Sequence, residues 1–382
     1  MKVIGLMSGT SIDGIDAALT NIEGNAENLQ VKLLGFCTYP YPAELRQELL
    51  DICAGKLISV EHLATINDQV AQVFAMAAAK LQQKFGKAEL IGSHGQTIFH
   101  RPPQNNLGFS WQIGRGEAIA HATNLPTVSN FRQGDIAAGG QGAPLVPKVD
   151  AYLLAHPTKH RCVQNLGGIG NVTYLPPKSE PDWDNRVIGW DTGPGNVLLD
   201  LAIQKLTDGK QAYDQDGVWA SQGTPNTELL EQWLSDPFIE QLPPKSTGRE
   251  YFGVDFLEKC WQQAQSQTLS EADWLASLTE FTARTVIENY RLFLPQMPDE
   301  ILLCGGGARN SYLRDRLQNL AGNIPVGITD EAGVHHDAKE AIASFAVLAY
   351  WRYAHQFPGN LPKVTGANRP MLLGEIHEPL GD

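Results

Sequence analysis

The period of apolar and polar positions changes along this chain, and the changes mark its elements. Residues 2–6 and 15–19 are apolar runs of strand length on either side of Met7-Ser8-Gly9-Thr10-Ser11-Ile12-Asp13-Gly14-Ile15-Asp16. Together they read as strand, tight turn, strand. Residues 31–39 read as a third strand. Apolar residues at helical spacing then predict helices over 43–53 and 60–85, the second with the stronger period. A strand over 89–93 runs into the loop Ser93-His94-Gly95-Gln96-Thr97, followed by a short helix over 117–123 and a short strand over 126–129. Residues 130–144 are too Gly-rich for a core element, so this loop is expected to carry the domain boundary and one wall of a cleft.

The opening pattern then recurs. Residues 160–164 read as a strand, Asn165-Leu166-Gly167-Gly168-Ile169-Gly170-Asn171 as a Gly-rich turn, and 172–175 as the return strand. A further strand over 187–190 ends in Asp191, and a helix starts near Asn196. Strand, Gly turn, strand and strand in both halves is the weak internal symmetry of a duplicated α/β domain. Residues 208–246 are polar, with one helix expected over 229–234. Helices follow over 252–263 and 271–293, then a strand over 300–303, the turn Cys304-Gly305-Gly306-Gly307-Ala308-Arg309-Asn310, and a helix from Ser311. The last strong helix is expected over 339–353, and the tail beyond 357 as an irregular strap.

Composition narrows the classes. A chain of 382 residues exceeds the size at which one core usually splits, so two domains are expected. The net charge of -13 argues against nucleic-acid or anionic-membrane partners, which need a basic surface. It leaves ATP open, because a nucleotide needs only a local positive pocket or a cation. Cys37, Cys53, Cys162, Cys260 and Cys304 form no C-x-x-C and read as reduced, buried thiols of a cytoplasmic protein. The N-terminus lacks a secretory-signal pattern, and no apolar run approaches the ~20 residues of a membrane helix.

Several turns suit chemistry. Residues 7–16 offer backbone N–H groups and hydroxyls for phosphate oxygens, and their Asp residues suit water-bound Mg2+. Asp191-Thr192-Gly193-Pro194-Gly195-Asn196 places a carboxylate between strand and helix, as a general base with Gly and a helix N-terminus toward phosphates, or as a plain N-cap and turn. An aspartic protease would need a second Asp-Thr-Gly, and the chain has one. Gly305-Gly306-Gly307 suits a nucleotide, but a dinucleotide fingerprint would need Gly where Asn310 stands. His94 reads as a base or a hydrogen-bonded structural residue, and Gln96 and Thr97 suit sugar hydroxyls or an amide. Arg132 and Asp135 read as a carboxylate-binding Arg or a surface ion pair. His335-His336-Asp337 reads as a solvated helix start rather than a metal site, and Glu340 as cleft-facing or as a first-turn acid.

Residues 7–16, 191–196 and 305–310 resemble the two phosphate loops and the adenosine motif of the actin-like sugar kinase and Hsp70 superfamily. Together with Ser93-His94-Gly95-Gln96-Thr97, Gly139-Gly140-Gln141-Gly142-Ala143-Pro144 and Asn165-Leu166-Gly167-Gly168-Ile169-Gly170-Asn171, they resemble the anhydro-N-acetylmuramic acid kinases over nearly the whole chain. Residues 208–246 carry no motif. The resemblance implies an α/β fold of two RNase H-like (actin-like ATPase) domains flanking a nucleotide cleft, the first from 1–130 plus about 338–382, the second from 131–337. It implies an ATP-dependent kinase that phosphorylates O6 of 1,6-anhydro-N-acetylmuramic acid while water opens the anhydro ring. The products would be N-acetylmuramic acid 6-phosphate and ADP, in peptidoglycan recycling.

By the same resemblance Asp191 is the base. Gly9, Thr10, Ser11, Ile12, Asp13, Gly14, Ile15 and Asp16, with Gly168, Gly193 and Asn196, bind the ATP phosphates, and Gly305, Gly306 and Gly307 contact its adenosine. Asp13 positions Mg2+ through water, and Thr97, Arg132 and Glu340 face the sugar, Arg132 on its lactyl carboxylate. A cytoplasmic homodimer with no nucleic-acid or membrane partner is implied. A kinase for another sugar or small acid and an actin-like non-metabolic ATPase are the alternatives on this fold.

Overall fold

Two sheets built on one plan organise the chain. The structure, a computed structural model, describes residues 1–9, 12–25, 28–101, 103, 107–332 and 344–380. In chain order the first strands are β1 (Lys2–Ser8), β2 (Ile15–Glu23), β3 (Gln30–Tyr39), β4 (Leu90–Arg101), β5 (Phe109–Ile113) and β6 (Thr127–Ser129). They are followed by β7 (Arg161–Leu166), β8 (Ile169–Leu175), β9 (Ile188–Pro194), β10 (Glu300–Cys304), β11 (Val326–Ile328) and β12 (Glu375–His377). The helices begin with α1 (Ala43–Cys53), α2 (Val60–Phe85), α3 (Gly116–Thr123), α4 (Phe131–Ala137), α5 (Val146–Leu154) and α6 (Val197–Leu206). They continue with α7 (Thr227–Leu234), α8 (Pro237–Glu240), α9 (Val254–Ser266), α10 (Glu271–Phe293), α11 (Ser311–Ala321), α12 (Ser344–Tyr350) and α13 (Pro362–Thr365).

The chain divides into two compact units, Met1–Leu153 with Ala338–Asp382, and Leu154–Asp337. In the first, the sheet order is β12-β6-β4-β1-β2-β3, with β5 paired to β4. Strands β1 to β3 form an antiparallel meander, and β4 and β6 extend it in parallel from β1. The second sheet, β11-β10-β7-β8-β9, repeats this: β7 to β9 meander, and β10 and β11 extend in parallel from β7. Each sheet thus has the RNase H-like topology.

Helix α2 starts where Ser59 Oγ accepts from the His62 N–H and ends with Lys84 in its last turn, both favourable to a helix. Its Ile66, Val70, Phe74 and Leu81 pack in one core with Ile4, Leu6, Ile15 and Leu19 of the sheet. In the second unit α10 is capped by Ser270, which accepts from the Asp273 N–H. Its first half joins the α6 and α9 core through Trp274, Leu278 and Phe281. Its second half joins the sheet core through Val286, Ile287 and Tyr290.

Several elements depart from the sequence pattern. Residues 93–97 are not a loop: β4 runs through them and pairs with β5. Within the Gly-rich segment, Phe131–Ala137 is helix α4, anchored by the fully buried Asp135. Asp135 Oδ1 accepts from Asn360 Nδ2 and Thr365 Oγ1, both at 2.6 Å, and Oδ2 accepts from the Gly142 N–H at 2.8 Å. These bonds, and Phe131 against Phe345, fasten the segment to the first unit, so the division falls after Leu153 rather than after residue 130. The tail is not a mere strap: it carries α13, and β12 pairs antiparallel with β6. Residues 339–343 of the expected last helix lie outside the described residues. Among the described residues no helix is long and apolar enough to cross a membrane.

Candidate functional site

In the second unit three Gly-rich turns interlock. The β7–β8 hairpin turns at Gly167-Gly168, and its carbonyls receive the amides at the start of α6. The Gly195 and Val197 N–H groups donate to Gly168 O at 2.9 and 3.0 Å, and the Asn196 N–H donates to Gly167 O at 2.8 Å. Asn196 Nδ2 donates to Leu166 O at 2.7 Å. The fit is tight: a Cβ on Gly195 would lie 2.3 Å from Gly167 O. At Gly305, where φ is +78°, a Cβ would lie 2.3 Å from Asn165 Oδ1. Gly168, Asn196 and Gly305 to Gly307 are therefore brought together, and Gly193 pairs with Gly170 where β8 meets β9. The Gly195, Asn196 and Val197 amides are thus engaged by the hairpin. Gly306 keeps an open side, its nearest contact for a Cβ being Asn196 Nδ2 at 3.8 Å.

Beside Asn196 and Gly306 lies a cavity of about 310 Å3 with apolar walls from Leu199, Ala220 and Leu275. Asp200, Asp214 and Asp216 also line it. Asp214 accepts from the Trp219 and Ala220 N–H groups, and Asp216 from the Ser311 N–H, so both shape the wall. Burial pushes Asp200 up to about 6, and Arg249 opposes the shift. Tyr213, Asp214, Asp216 and Ala220 come from the segment that carries no motif, so nothing in their order marks them.

Asp191 lies inside β9 rather than at its end. Its N–H donates to Lys245 O at 3.1 Å, and its Oδ2 accepts from the Thr247 N–H at 2.9 Å. Burial of this half-buried carboxyl pushes it up to about 6; the Thr247 N–H and Lys245 oppose the shift, and Glu250 adds to it. The buried Lys245 donates to the Phe238 and Ile239 carbonyls, both at 2.9 Å, and burial pulls it down to about 8. Lys245 and Thr247 also went unread in the sequence, because nothing in their order announces a strap across a strand.

In the first unit Gly9, Ile12, Asp13, Gly14, Ile15 and Asp16 are described, and Thr10 and Ser11 lie outside the described residues. Ile12 is buried with φ 54°, and Ile15 joins the core, so these two can offer a ligand only backbone. Arg46 of α1 grips the turn: Nε donates to Ile12 O at 2.8 Å and Nη2 to Asp13 Oδ1 at 3.2 Å. Gln96 Nε2 donates to Gly9 O at 3.4 Å. The Asp13 side chain is 72% exposed. Asp16 accepts from Thr38 Oγ1 at 2.6 Å; burial raises its pKa, Thr38 opposes this, and Asp13 adds to it.

On the expected sugar side, Thr97 Oγ1 accepts from Gln112 Nε2 at 3.1 Å. Arg132 Nε donates to His94 Nε2, and Nη1 donates to Gly142 O, both at 3.1 Å. Burial pulls Arg132 down to about 10, and it remains a cation at neutral pH. Burial, then Arg132, pulls the buried His94 down to about 3, which makes it a neutral structural ring and not a base. The alternative of an Arg132–Asp135 surface pair is excluded by the full burial of Asp135. Glu340 and His335-His336-Asp337 lie outside the described residues. Among the described residues no group of three His, Cys, Asp or Glu is placed to hold a metal ion. None of the five cysteines is in a disulfide; Cys162, Cys260 and Cys304 are buried as expected, whereas Cys37 is half-buried and Cys53 exposed.

The sequence model of the anhydro-N-acetylmuramic acid kinase family matches residues 1–379. A Picosynechococcus sp. protein named anhydro-N-acetylmuramic acid kinase is 73% identical over 380 residues, covering 99% of this chain and 100% of the relative. A Synechocystis sp. protein of the same name is 60% identical over 382 residues, covering 99% and 98%. One from Rippkaea orientalis is 59% identical over 385 aligned positions, covering 100% of both chains. The chain belongs to the anhydro-N-acetylmuramic acid kinase family.

Proposed function

We propose that this protein uses ATP to phosphorylate O6 of 1,6-anhydro-N-acetylmuramic acid as water opens the anhydro bridge, in the recycling of peptidoglycan. The observation that carries the reading is the Asp191 carboxylate. The Thr247 N–H fixes one of its oxygens, and burial brings it to about 6. Such a group is ionised at neutral pH yet basic enough to take a proton in a transition state. The water oxygen bonds to C1 as the C1–O6 bond breaks, and the O6 electron pair attacks the γ-phosphorus. The bond to the β-phosphate oxygen breaks, ADP leaves, and the water proton passes to Asp191.

The other roles follow from each unit separately. Adenosine takes the cavity walled by Leu199, Ala220 and Leu275, with Gly306 open beside it. In the first unit the turn held by Arg46 and Gln96 presents its backbone to phosphate oxygens. Asp13 and Asp16 fit an Mg2+ ion that keeps most of its own waters: Asp13 is exposed, and the two carboxylates share a local negative field. Mg2+ there would neutralise charge on the phosphates. Arg132 meets the lactyl carboxylate, and Thr97 a sugar hydroxyl.

Mass spectrometry of the product from Mg-ATP and the anhydro sugar in 18O-labelled water tests the reading. A ring-opened sugar phosphate with label at C1 is expected in samples taken at initial rate and absent without enzyme. No phosphorylated product removes the named substrate. A phosphorylated sugar with its ring still closed removes the coupled hydrolysis and favours an ordinary sugar kinase.

A further inference from the structure

We propose that His94 is the positioning residue for Arg132, and that it fixes the edge of the guanidinium through which a substrate carboxylate is met. The inference rests on the reading of Arg132 as the residue that binds the lactyl carboxylate.

His94 lies on β4 in the core of the first unit, 4% exposed, with its ring 4.6 Å from that of Phe345. Its two nitrogens meet opposite demands. Nδ1 is 3.0 Å from the Gly95 carbonyl oxygen, which can only accept, so Nδ1 carries the proton. Nε2 is 3.1 Å from Arg132 Nε, which can only donate, so Nε2 is bare. One neutral tautomer satisfies both contacts, and burial beside a guanidinium keeps the ring neutral.

The consequence falls on Arg132. A guanidinium has one proton on Nε and two on each Nη. The Nε proton is given to His94, and one Nη1 proton is given to the Gly142 carbonyl at 3.1 Å. The side-on fork, made of Nε and Nη2, is therefore closed. A carboxylate must be met through Nη2, alone or with the second Nη1 proton. The plane is set by two supports, the sheet through His94 and the Gly-rich loop through Gly142. Asp135 in turn holds Gly142 by its N–H at 2.8 Å. A guanidinium ordered before the ligand arrives loses less freedom on binding than one that is not.

Steady-state kinetics of His94→Ala, His94→Gln, Arg132→Ala and the Ala/Ala double variant test this in the full chain. His94→Ala should raise the KM for the sugar about tenfold or more, through lost pre-organisation, with the KM for ATP unchanged. His94→Gln, whose amide oxygen replaces the acceptor, should recover most of the loss. Arg132→Ala should raise the sugar KM further, and removing His94 as well should add nothing. A His94→Ala loss that persists in full in the Arg132→Ala background overturns the proposal, because His94 then acts on the fold and not through Arg132. An Arg132→Ala variant with unchanged sugar KM overturns instead the carboxylate reading beneath it. Should His94→Ala not fold, 15N NMR of the wild-type ring decides: Nδ1 protonated and Nε2 bare at pH 7 is expected. A ring protonated on both nitrogens, or bearing its one proton on Nε2, could not accept from Arg132 and overturns the proposal.

Discussion

The two Gly-rich turns that open the two sheets occupy the same place in the same topology and do different work. In the second unit the Gly167-Gly168 turn is closed by the β9–α6 junction, and its carbonyls receive three amides from residues 195–197. In the first unit the connection after β1 is longer in residues, carries the exposed Asp13, and is steadied from outside by Arg46 and Gln96. A Cβ on Gly9 would meet nothing within 4 Å, whereas one on Gly195 would strike a carbonyl at 2.3 Å. One turn is a clamp, and the other is open at Gly9 and closed at Gly14, where a Cβ would lie 2.9 Å from Tyr39 O. Glycine content alone does not separate them, because glycine serves both close packing and ligand approach.

The largest effect should come from Asp191, on the strand that leads into the clamp. Asp191→Asn should fold and retain its ATP affinity but lose about 10²–10⁴-fold in turnover, measured by ADP release. Near-normal turnover removes Asp191 as the base. Next, the clamp and the open end at Gly9 should separate under the same substitution. Gly195→Ala should destabilise the protein by about 1–3 kcal/mol in thermal or denaturant unfolding, as overpacking against backbone does. Gly9→Ala should leave stability within about 0.5 kcal/mol while raising the KM for ATP. Equal stability losses at the two positions would erase the distinction between the turns.

A subtler effect concerns pH. The folded value of about 6 for Asp191 stands above the 3.8 of an ordinary aspartate, so the folded state binds this proton more tightly. Its contribution to stability is therefore greatest below about pH 4 and declines as pH rises to about 6. Asn has no such titration. Asp191→Asn should then melt above wild type at pH 7.5, with the gap closing toward pH 4. In wild type, kcat/KM for the sugar should fall with unit slope below about pH 6. Last and smallest, Asp13→Asn should leave the melting temperature unchanged, as for exposed ion-pair partners generally. It should raise the Mg2+ concentration needed for half-maximal rate, and an unchanged Mg2+ requirement removes Asp13 from ion positioning.

Long amphipathic elements were legible in the sequence because their period and their ends agree. Helices over 60–85 and 271–293 have those bounds in the structure, each with a serine cap before a sustained apolar stripe. The opening strands of the two meanders were legible as apolar runs, since β1, β2, β7 and β8 are buried over most of their length. What stayed hidden depends on distant partners. Phe131–Ala137 contains Gly134 and reads as loop, yet it is a helix because Asp135 finds Asn360 and Thr365 more than 200 residues away. The three-residue β12 has no period of its own and exists because β6 offers it an edge. Within the candidate site, the Gly turns and Asp191 stood out by composition. Arg46, Lys245 and Thr247 did not, since each is an ordinary residue made relevant by what it reaches.

The bonds from Asn360 and Thr365 to Asp135, and the pairing of β12 with β6, also impose an order on synthesis. The second unit is one continuous stretch, complete once residue 337 has left the ribosome. The first unit begins earlier but must wait for the end of the chain to supply the donors to its buried carboxylate and its last strand. The half that is translated first is therefore the half that finishes last, and a nascent chain stopped short of residue 360 leaves Asp135 with its Gly142 donor but without the Asn360 and Thr365 donors that make the latch.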